Sequence, residues 1–221
     1  MRGLFITLEG IDGCGKSTQF EMLARALTDR GLPVTTTHEP GGTGIGRQIR
    51  PILMSKSQTG LDPLAEFLLM AADRAQDVAE KVRPALERGD IVIADRFIDS
   101  SVAFQGYGRG VELAAITAIN RLATRGLEPD LTILFDLEPA TAAGRLAART
   151  NGPTHAEDET ATTRFDVEAI EFHRRVREGY LKLAAEHPSR IRVVDASGSV
   201  EAAHEQVMAL VMRVLSPEYA R

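Results

Sequence analysis

The eight residues Gly10-Ile11-Asp12-Gly13-Cys14-Gly15-Lys16-Ser17 fit the pattern G-x-x-x-x-G-K-[ST] without a mismatch. That pattern works only as a turn from a strand into a helix. The backbone N–H groups of the loop point inward around phosphate oxygens, and the positive end of the following helix faces the same anion. The flanks agree. An apolar run, Leu4–Glu9, precedes the loop, and Phe20, Leu23 and Leu27 recur behind it at helical spacing, with Gly31 as a C-terminal cap. Lys16 is then placed to reach the β- and γ-phosphates of ATP, and Ser17 to set its hydroxyl on Mg²⁺. Thr18 completes the ATP-binding run that starts at Gly10. A glycine-rich turn that fits by chance would leave the strand–helix context unexplained. The motif fixes nucleotide binding but not the reaction, because ATPases, GTPases and small-molecule kinases share it.

The rest of the chain extends the same alternation. Val34–Thr37, Ile91–Asp95, Leu131–Asp136 and Ile191–Asp195 are short apolar or β-branched runs of the kind that form strands buried on both faces. A long helix is expected over Asp62–Glu87, with Leu64, Phe67, Leu68, Ala71, Ala75, Val78, Val82 and Leu86 on its apolar face and a kink at Arg83-Pro84. Leu113, Ile116, Ile119 and Leu122 mark another helix, and two more are expected from Pro139 and from Asp166. Strands alternating with helices imply an α/β fold with a doubly wound parallel sheet, whose ligands sit outside the carboxyl ends of the strands.

At 221 residues the chain fits a single domain, residues 1–221. Its net charge of −5 argues against a nucleic-acid partner, so any phosphate site is local. No stretch approaches the ~18 apolar residues of a membrane span, and the Leu4–Leu8 run is too short for a signal peptide. The single cysteine, Cys14, cannot form an internal disulfide, which fits a reducing cytoplasmic location. The five histidines show no close metal-ligand spacing, so no zinc site is expected.

Three features lie on the ligand edge this architecture implies. Asp95 ends the third strand and is followed by Arg96. A carboxylate there commonly holds the Mg²⁺ shell through water, and an arginine beside it can clamp a phosphate with its fork. Taken alone, the dipeptide reads equally as a surface ion pair. Asp12, inside the phosphate loop, is either a turn residue or an acceptor for a sugar hydroxyl. Residues Asn151–Thr163 are polar, contain Gly-Pro and the acidic run Glu157-Asp158-Glu159, and lack periodicity. They read as a solvated loop or, because Arg145, Arg149 and Arg164 flank them, as a lid over about residues 149–165.

Five segments in order carry a more specific likeness. They are Glu39-Pro40-Gly41-Gly42-Thr43 with Arg50 behind it, Ala71-Ala72-Asp73-Arg74, and Asp95-Arg96-Phe97-Ile98-Asp99-Ser100-Ser101. Phe104-Gln105-Gly106-Tyr107-Gly108-Arg109-Gly110 and Phe172–Tyr180 complete the set. Together with the phosphate loop they resemble bacterial thymidylate kinases over nearly the whole chain. The resemblance implies a nucleoside-monophosphate-kinase-like three-layer fold, with a five-stranded parallel sheet, helices on both faces and a lid. It also implies transfer of the γ-phosphoryl of ATP to dTMP with Mg²⁺, and a homodimer packed through helices.

The resemblance further implies roles for particular residues. Arg50 and Arg96 would hold the dTMP phosphate, and Arg74 would hydrogen-bond a thymine carbonyl. Ser101 and Gln105 would lie along the base and its edge, and Asp12 would take the 3′-hydroxyl. Glu39 belongs to the same dTMP site, and Asp195-Ala196-Ser197-Gly198 would lie near adenine. Met70 stands where the family usually stacks an aromatic on thymine, and it reads also as plain core. Phe104 stands where tyrosine is frequent and crowds the sugar's 2′ carbon. Gly13 stands where some relatives carry a catalytic arginine. The charge is therefore expected from Arg164 or Arg149, acting with Lys16 and Arg96.

The acceptor phosphate is already anionic, so no general base is needed and catalysis reduces to alignment and charge neutralisation. A deoxynucleoside kinase would instead need Glu39 to deprotonate a 5′-hydroxyl. The surplus of arginines, Arg50, Arg74 and Arg96, argues for an acceptor that already carries phosphate. A P-loop ATPase acting on a macromolecule fits less well with the short acidic chain.

Overall fold

The computed structural model describes residues 3–55, 60–150, 163–165 and 168–215, the side chains of residues 149 and 150 excepted. Five strands, β1 (Phe5–Glu9), β2 (Val34–His38), β3 (Ile91–Asp95), β4 (Leu131–Asp136) and β5 (Ile191–Asp195), form one sheet in the order β2-β3-β1-β4-β5. Every pairing is parallel. All five expected strands are present, to within a residue at the ends of the first two.

Alternate residues of the central strands serve two different cores. Ile6, Leu8, Ile91 and Ile93 join one cluster with Leu23 and Leu27 of α1 (Lys16–Thr28) and with Val207 and Val211 of α9 (Val200–Val214). Phe5, Val92 and Ala94 join another with Val78, Val82, Ala85 and Leu86 of the long helical segment. Side chains of a strand alternate between faces, so this division shows helices covering both sides of the sheet. The near-continuous apolar runs follow from that double burial.

The long helix expected over Asp62–Glu87 is three consecutive pieces: α3 (Pro63–Asp77), a π-helical turn at Val78–Val82, and α4 (Arg83–Arg88). The expected kink at Arg83-Pro84 takes this form, because Pro84 lacks an N–H and the preceding turn widens. Asp62 caps the start, its carboxylate accepting from the N–H groups of Leu64 and Ala65. The chain continues through α5 (Ile98–Ser101), a π-helical segment at Val102–Gly108 and α6 (Leu113–Thr124). It then passes through α7 (Pro139–Thr150) and α8 (Ile170–Glu186). The helix expected from Asp166 starts at Ile170, with Phe165 already buried ahead of it. Helix α2 (Gly44–Met54) starts at Thr43, whose Oγ1 accepts from the Gly46 N–H at 3.0 Å. The Glu39–Pro40 peptide is cis. Residues 151–162, the body of the expected lid, lie outside the described residues, as does the side chain of Arg149.

The strand register sets the functional edge. Leu8 pairs with Asp95 and His38 with Asp95, so the phosphate loop, the Asp95-Arg96 corner and the Glu39-Pro40 turn leave neighbouring strands at one end of the sheet.

Candidate active site

The phosphate loop turns between β1 and α1 as its sequence requires, with Gly15 at φ 90° immediately before the helix. A cleft of about 490 Å³ opens over it, lined by Ile11 through Gln19, Phe135, Arg145, Leu146, Ala196, Gly198, Ser199, Val200 and Ala203. The loop expected near adenine, at Ala196 and Gly198, is thus part of the same cleft. Lys16 is buried, with its Nζ 2.8 Å from Asp95 Oδ1. Burial alone would raise the Asp95 carboxyl, but Lys16 and then Arg96 hold it below the usual carboxylate range. Ser17 and Thr18 are exposed to the cleft, and Cys14 is buried, with burial pushing its thiol up.

Gly13 explains why no arginine stands in this loop. A Cβ there would lie 2.5 Å from the Ala142 carbonyl oxygen of α7 and 3.0 Å from Leu146 Cγ. The helix that occupies this space puts Arg145 into the cleft instead. Sequence reading noted Arg145 only as a flank of the lid; the signal available was its place one helical turn after Ala142, the residue against which Gly13 packs.

Arg96 adopts φ 73°, a left-handed conformation uncommon for a residue with a side chain and characteristic of functional sites. Its Nη2 donates to Asp12 Oδ1 at 2.6 Å, and its Nη1 to the Gly10 carbonyl at 3.1 Å and to Ser100 Oγ at 3.2 Å. The guanidinium lies over the Phe104 ring, 4.8 Å from its centroid. Burial would favour the neutral form, but Asp12, Tyr180 and Asp95 raise its pKa still further, so it stays charged. Asp12 therefore turns toward Arg96 and is more than a turn residue. Behind this pair lies a network that sequence reading did not identify. Buried Glu9 accepts from Phe97 N–H at 2.7 Å, Ser100 Oγ at 2.6 Å and Tyr180 OH at 2.8 Å. Burial raises the Glu9 carboxyl, and the nearby Asp99 adds to the effect.

The remaining residues expected at the acceptor divide into two groups. Arg50 is exposed, donates from Nη1 to the Pro40 carbonyl at 2.7 Å, and lines a second depression of about 500 Å³ with His38, Gly41, Gly42, Arg47 and Lys81. Arg74 is 1% exposed. Its Nε reaches Glu39 Oε2 at 2.9 Å, Nη1 reaches Ser101 Oγ at 2.9 Å and Asn120 Oδ1 at 2.6 Å, and Nη2 reaches the Phe97 carbonyl at 3.0 Å. Nη2 also lies 2.8 Å from Glu39 Oε2. Four hydrogen bonds and a close ion pair thereby surround the guanidinium. The thymine-carbonyl bond expected of Arg74 would compete with these partners. Ser101 and Glu39 turn inward with it. Gln105 is buried and donates to Glu66 Oε1 at 2.7 Å. Met70 is half-buried against the main core, which matches its plain packing reading. Phe104 is buried in an aromatic group with Phe165, Phe172 and Tyr180.

Arg164 is the largest departure from expectation. Its Nη2 donates to Glu66 Oε2 at 2.6 Å, its Nε to the Leu53 carbonyl at 2.5 Å, and its backbone N–H to the Met54 carbonyl at 3.1 Å. It does not line the phosphate cleft. These contacts fasten Arg164 to α2 and α3.

The same assignment follows from comparison with known proteins. The thymidylate kinase family model matches residues 8–207. A thymidylate kinase from Solidesulfovibrio magneticus is 46% identical over 212 residues, covering 96% of this chain and 100% of that protein. Another, from Geobacter sp. (strain M21), is 48% identical over 199 residues, covering 90% of this chain and 87% of its own. The crystal structure of thymidylate kinase from Ehrlichia chaffeensis superposes with a TM-score of 0.75 at 32% identity, covering 96% of this chain and 99% of that one. A phosphate loop and an Asp-Arg corner at one end of the parallel sheet thus coincide with a family match over most of the sequence, and the chain belongs to the thymidylate kinase family.

Proposed function

We propose that the protein transfers the γ-phosphoryl group of ATP to a phosphate oxygen of dTMP, giving dTDP and ADP. The observation that carries the choice of a phosphorylated acceptor is the state of Glu39. It is 5% exposed and its Oε2 is gripped twice by Arg74, so it does not face a substrate hydroxyl. A nucleoside acceptor needs a base to take its 5′ proton; an acceptor phosphate is already anionic. In the step, a dTMP phosphate oxygen bonds to the γ-phosphorus while the bond to the β–γ bridging oxygen breaks, and ADP leaves with that electron pair. No proton needs to move.

Lys16 neutralises charge on the β- and γ-phosphates, and the loop amides from Gly13 to Thr18 orient them. Arg145 supplies a further cation from α7, and Arg149 is the lid arginine that supplies charge to the transferring group. Arg96 and Arg50 grip the acceptor phosphate. Arg96 leaves Asp12 in part to do so, and Asp12 is then free to accept the 3′-hydroxyl. Gln105 and Ser101 border the base, Met70 covers its face, and Phe104 crowds the 2′ position. Ser17 and the ionised Asp95 are hard oxygen donors beside Lys16, a set that suits Mg²⁺ directly or through water. When bound, that ion neutralises the phosphates' developing charge.

Residues 149–165 serve as the lid, supported by Arg145 at one end in the cleft and by Phe165 packed on Phe104 at the other. A homodimer is supported by exposed apolar side chains on α2, α3 and α6: Ile45, Ile52, Leu64, Leu68 and Leu122. Among the described residues no helix is long and apolar enough to cross a membrane, and cytoplasmic location rests on the unpaired Cys14. The assay is ADP formation with dTMP, dUMP, UMP and thymidine. Rates should fall in that order, and faster turnover of thymidine than of dTMP would transfer the assignment to a deoxynucleoside kinase.

A further inference from the structure

Asp73 and Asp77 are four residues apart, so both fall on one face of the long helical segment, and both are fully buried. Aspartate is almost never fully buried without a partner, and here the partners lie at the end of β2 and on the loop that follows it. Asp73 Oδ1 accepts from the Gly41 N–H at 3.0 Å, and Asp77 Oδ1 accepts from Thr37 Oγ1 at 2.6 Å. The loop and the first turn of α2 press directly on the two carboxylates. A Cβ at Gly42 would lie 2.8 Å from Asp77 Oδ1, and one at Gly46 would fall on Asp73 Oδ1 closer than any carbon approaches an oxygen. Gly42 and Gly46 of the Gly-Gly-Thr-Gly-Ile-Gly stretch are therefore matched to these two acids.

What the loop delivers is Arg50. The Pro40 carbonyl accepts from its Nη1 at 2.7 Å, and a Cβ at Gly41 would lie 3.0 Å from its Cδ. Gly46, packed on Asp73, also donates to Thr43 Oγ1 in the cap of α2, the helix that carries Arg50. A long, exposed arginine loses much rotamer freedom when fixed, so its aim depends on the carbonyl that holds it. Asp73 reaches the loop through Oδ1, while its Oδ2 is buried without a hydrogen-bond partner among the described residues.

We propose that Asp73 is a positioning residue for Arg50: through the Gly41 amide and its contact with Gly46 it fixes the Glu39–Thr43 loop, whose Pro40 carbonyl aims the Arg50 guanidinium at the acceptor phosphate. The proposal rests on the reading that Arg50 grips that phosphate. A double-mutant cycle tests both, with KM for dTMP, KM for ATP and kcat measured for wild type, Asp73→Ala, Arg50→Ala and the double variant. Arg50→Ala should raise the dTMP KM by at least about tenfold, the size expected for losing a hydrogen bond to a charged group. Asp73→Ala should raise the dTMP KM while leaving that for ATP within about twofold, and the double variant should be no worse than Arg50→Ala. Asp73→Asn, which keeps the acceptor oxygen for Gly41, should restore most of the dTMP KM.

Multiplying effects in the double variant, or equal losses for dTMP and ATP, overturn the positioning role while leaving Arg50 in place. An unchanged dTMP KM in Arg50→Ala removes the phosphate assignment itself, and the positioning role with it. Should Asp73→Ala fail to fold, Gly46→Ala displaces the same carboxylate from the loop side and is read in the same cycle with the same expectations.

Discussion

Replacing Glu39 by glutamine reports on the charge cluster buried behind the acceptor edge. Burial raises the Glu39 carboxyl, Arg74 pulls it down, and Asp77 and Asp73 raise it again, leaving it pushed up to about 8 from an ordinary 4.5. The folded protein thus holds a proton that the unfolded chain releases above pH 4.5. The stability this group contributes is fully present below that pH and is lost as pH rises through about 8. One pKa unit is worth between about 1 and 2 kcal/mol, so a single such carboxyl removes on the order of 3 kcal/mol of stability between pH 5 and pH 7. Glu39→Gln keeps an oxygen for Arg74 and abolishes the titration. Asp77, pushed up to about 6 chiefly by burial, titrates in both proteins and largely drops out of their difference. Urea unfolding of both proteins from pH 5 to pH 8 gives the comparison. With an m-value of about 2.5 kcal/mol/M, the wild-type midpoint should fall by about 1 M relative to the variant between pH 5 and pH 7. Parallel midpoints across that range would refute the reasoning, because they would mean that Arg74 keeps Glu39 ionised throughout.

Other replacements separate the arginines. Arg96→Ala should lower kcat/KM for dTMP by about 30-fold or more, the equivalent of 2 kcal/mol or above. Because Arg96 also holds the Gly10 carbonyl and Asp12, the ATP KM should rise by a few-fold; a change below about threefold in dTMP kcat/KM would contradict the clamp. Arg145→Ala should raise the ATP KM and slow single-turnover chemistry, whereas Arg164→Ala should leave chemistry within about tenfold and lower Tm by several degrees through the lost Glu66 pair. Equal chemistry in Arg145→Ala and wild type would remove Arg145 from the cleft's function. Gly13→Ala should destabilise by about 1–3 kcal/mol or more, since the new methyl meets the Ala142 carbonyl in a strained φ, and an unchanged Tm would show that α7 yields easily.

Several features were legible in the sequence because they depend on neighbours along the chain. The phosphate loop needs only eight consecutive residues in the right order, and the five strands show as short apolar runs because both faces of the sheet are buried. The start of the long helix near Asp62, the Pro84 disturbance and the Asp95-Arg96 corner are likewise local. The five-segment resemblance added the acceptor edge and the reaction. Helix α9, absent from the sequence reading, packs on α1 from the far end of the chain.

Tertiary structure alone decided where the long charged side chains turn. Arg50, Arg74, Arg96 and Arg164 look alike as residues, yet Arg50 is exposed on a carbonyl, Arg74 is fully enclosed by Glu39, Ser101, Asn120 and Phe97, and Arg96 bridges to Asp12. Arg164 was expected beside the transferring phosphate and lies on Glu66, 98 positions away in sequence. Gly13 announced a missing arginine, but its cause, the carbonyl of Ala142, is a contact between segments more than a hundred residues apart. An arginine's reach is long enough to meet several partners. The one it takes depends on which buried acceptors would otherwise go unsatisfied, and that is settled only when distant segments pack.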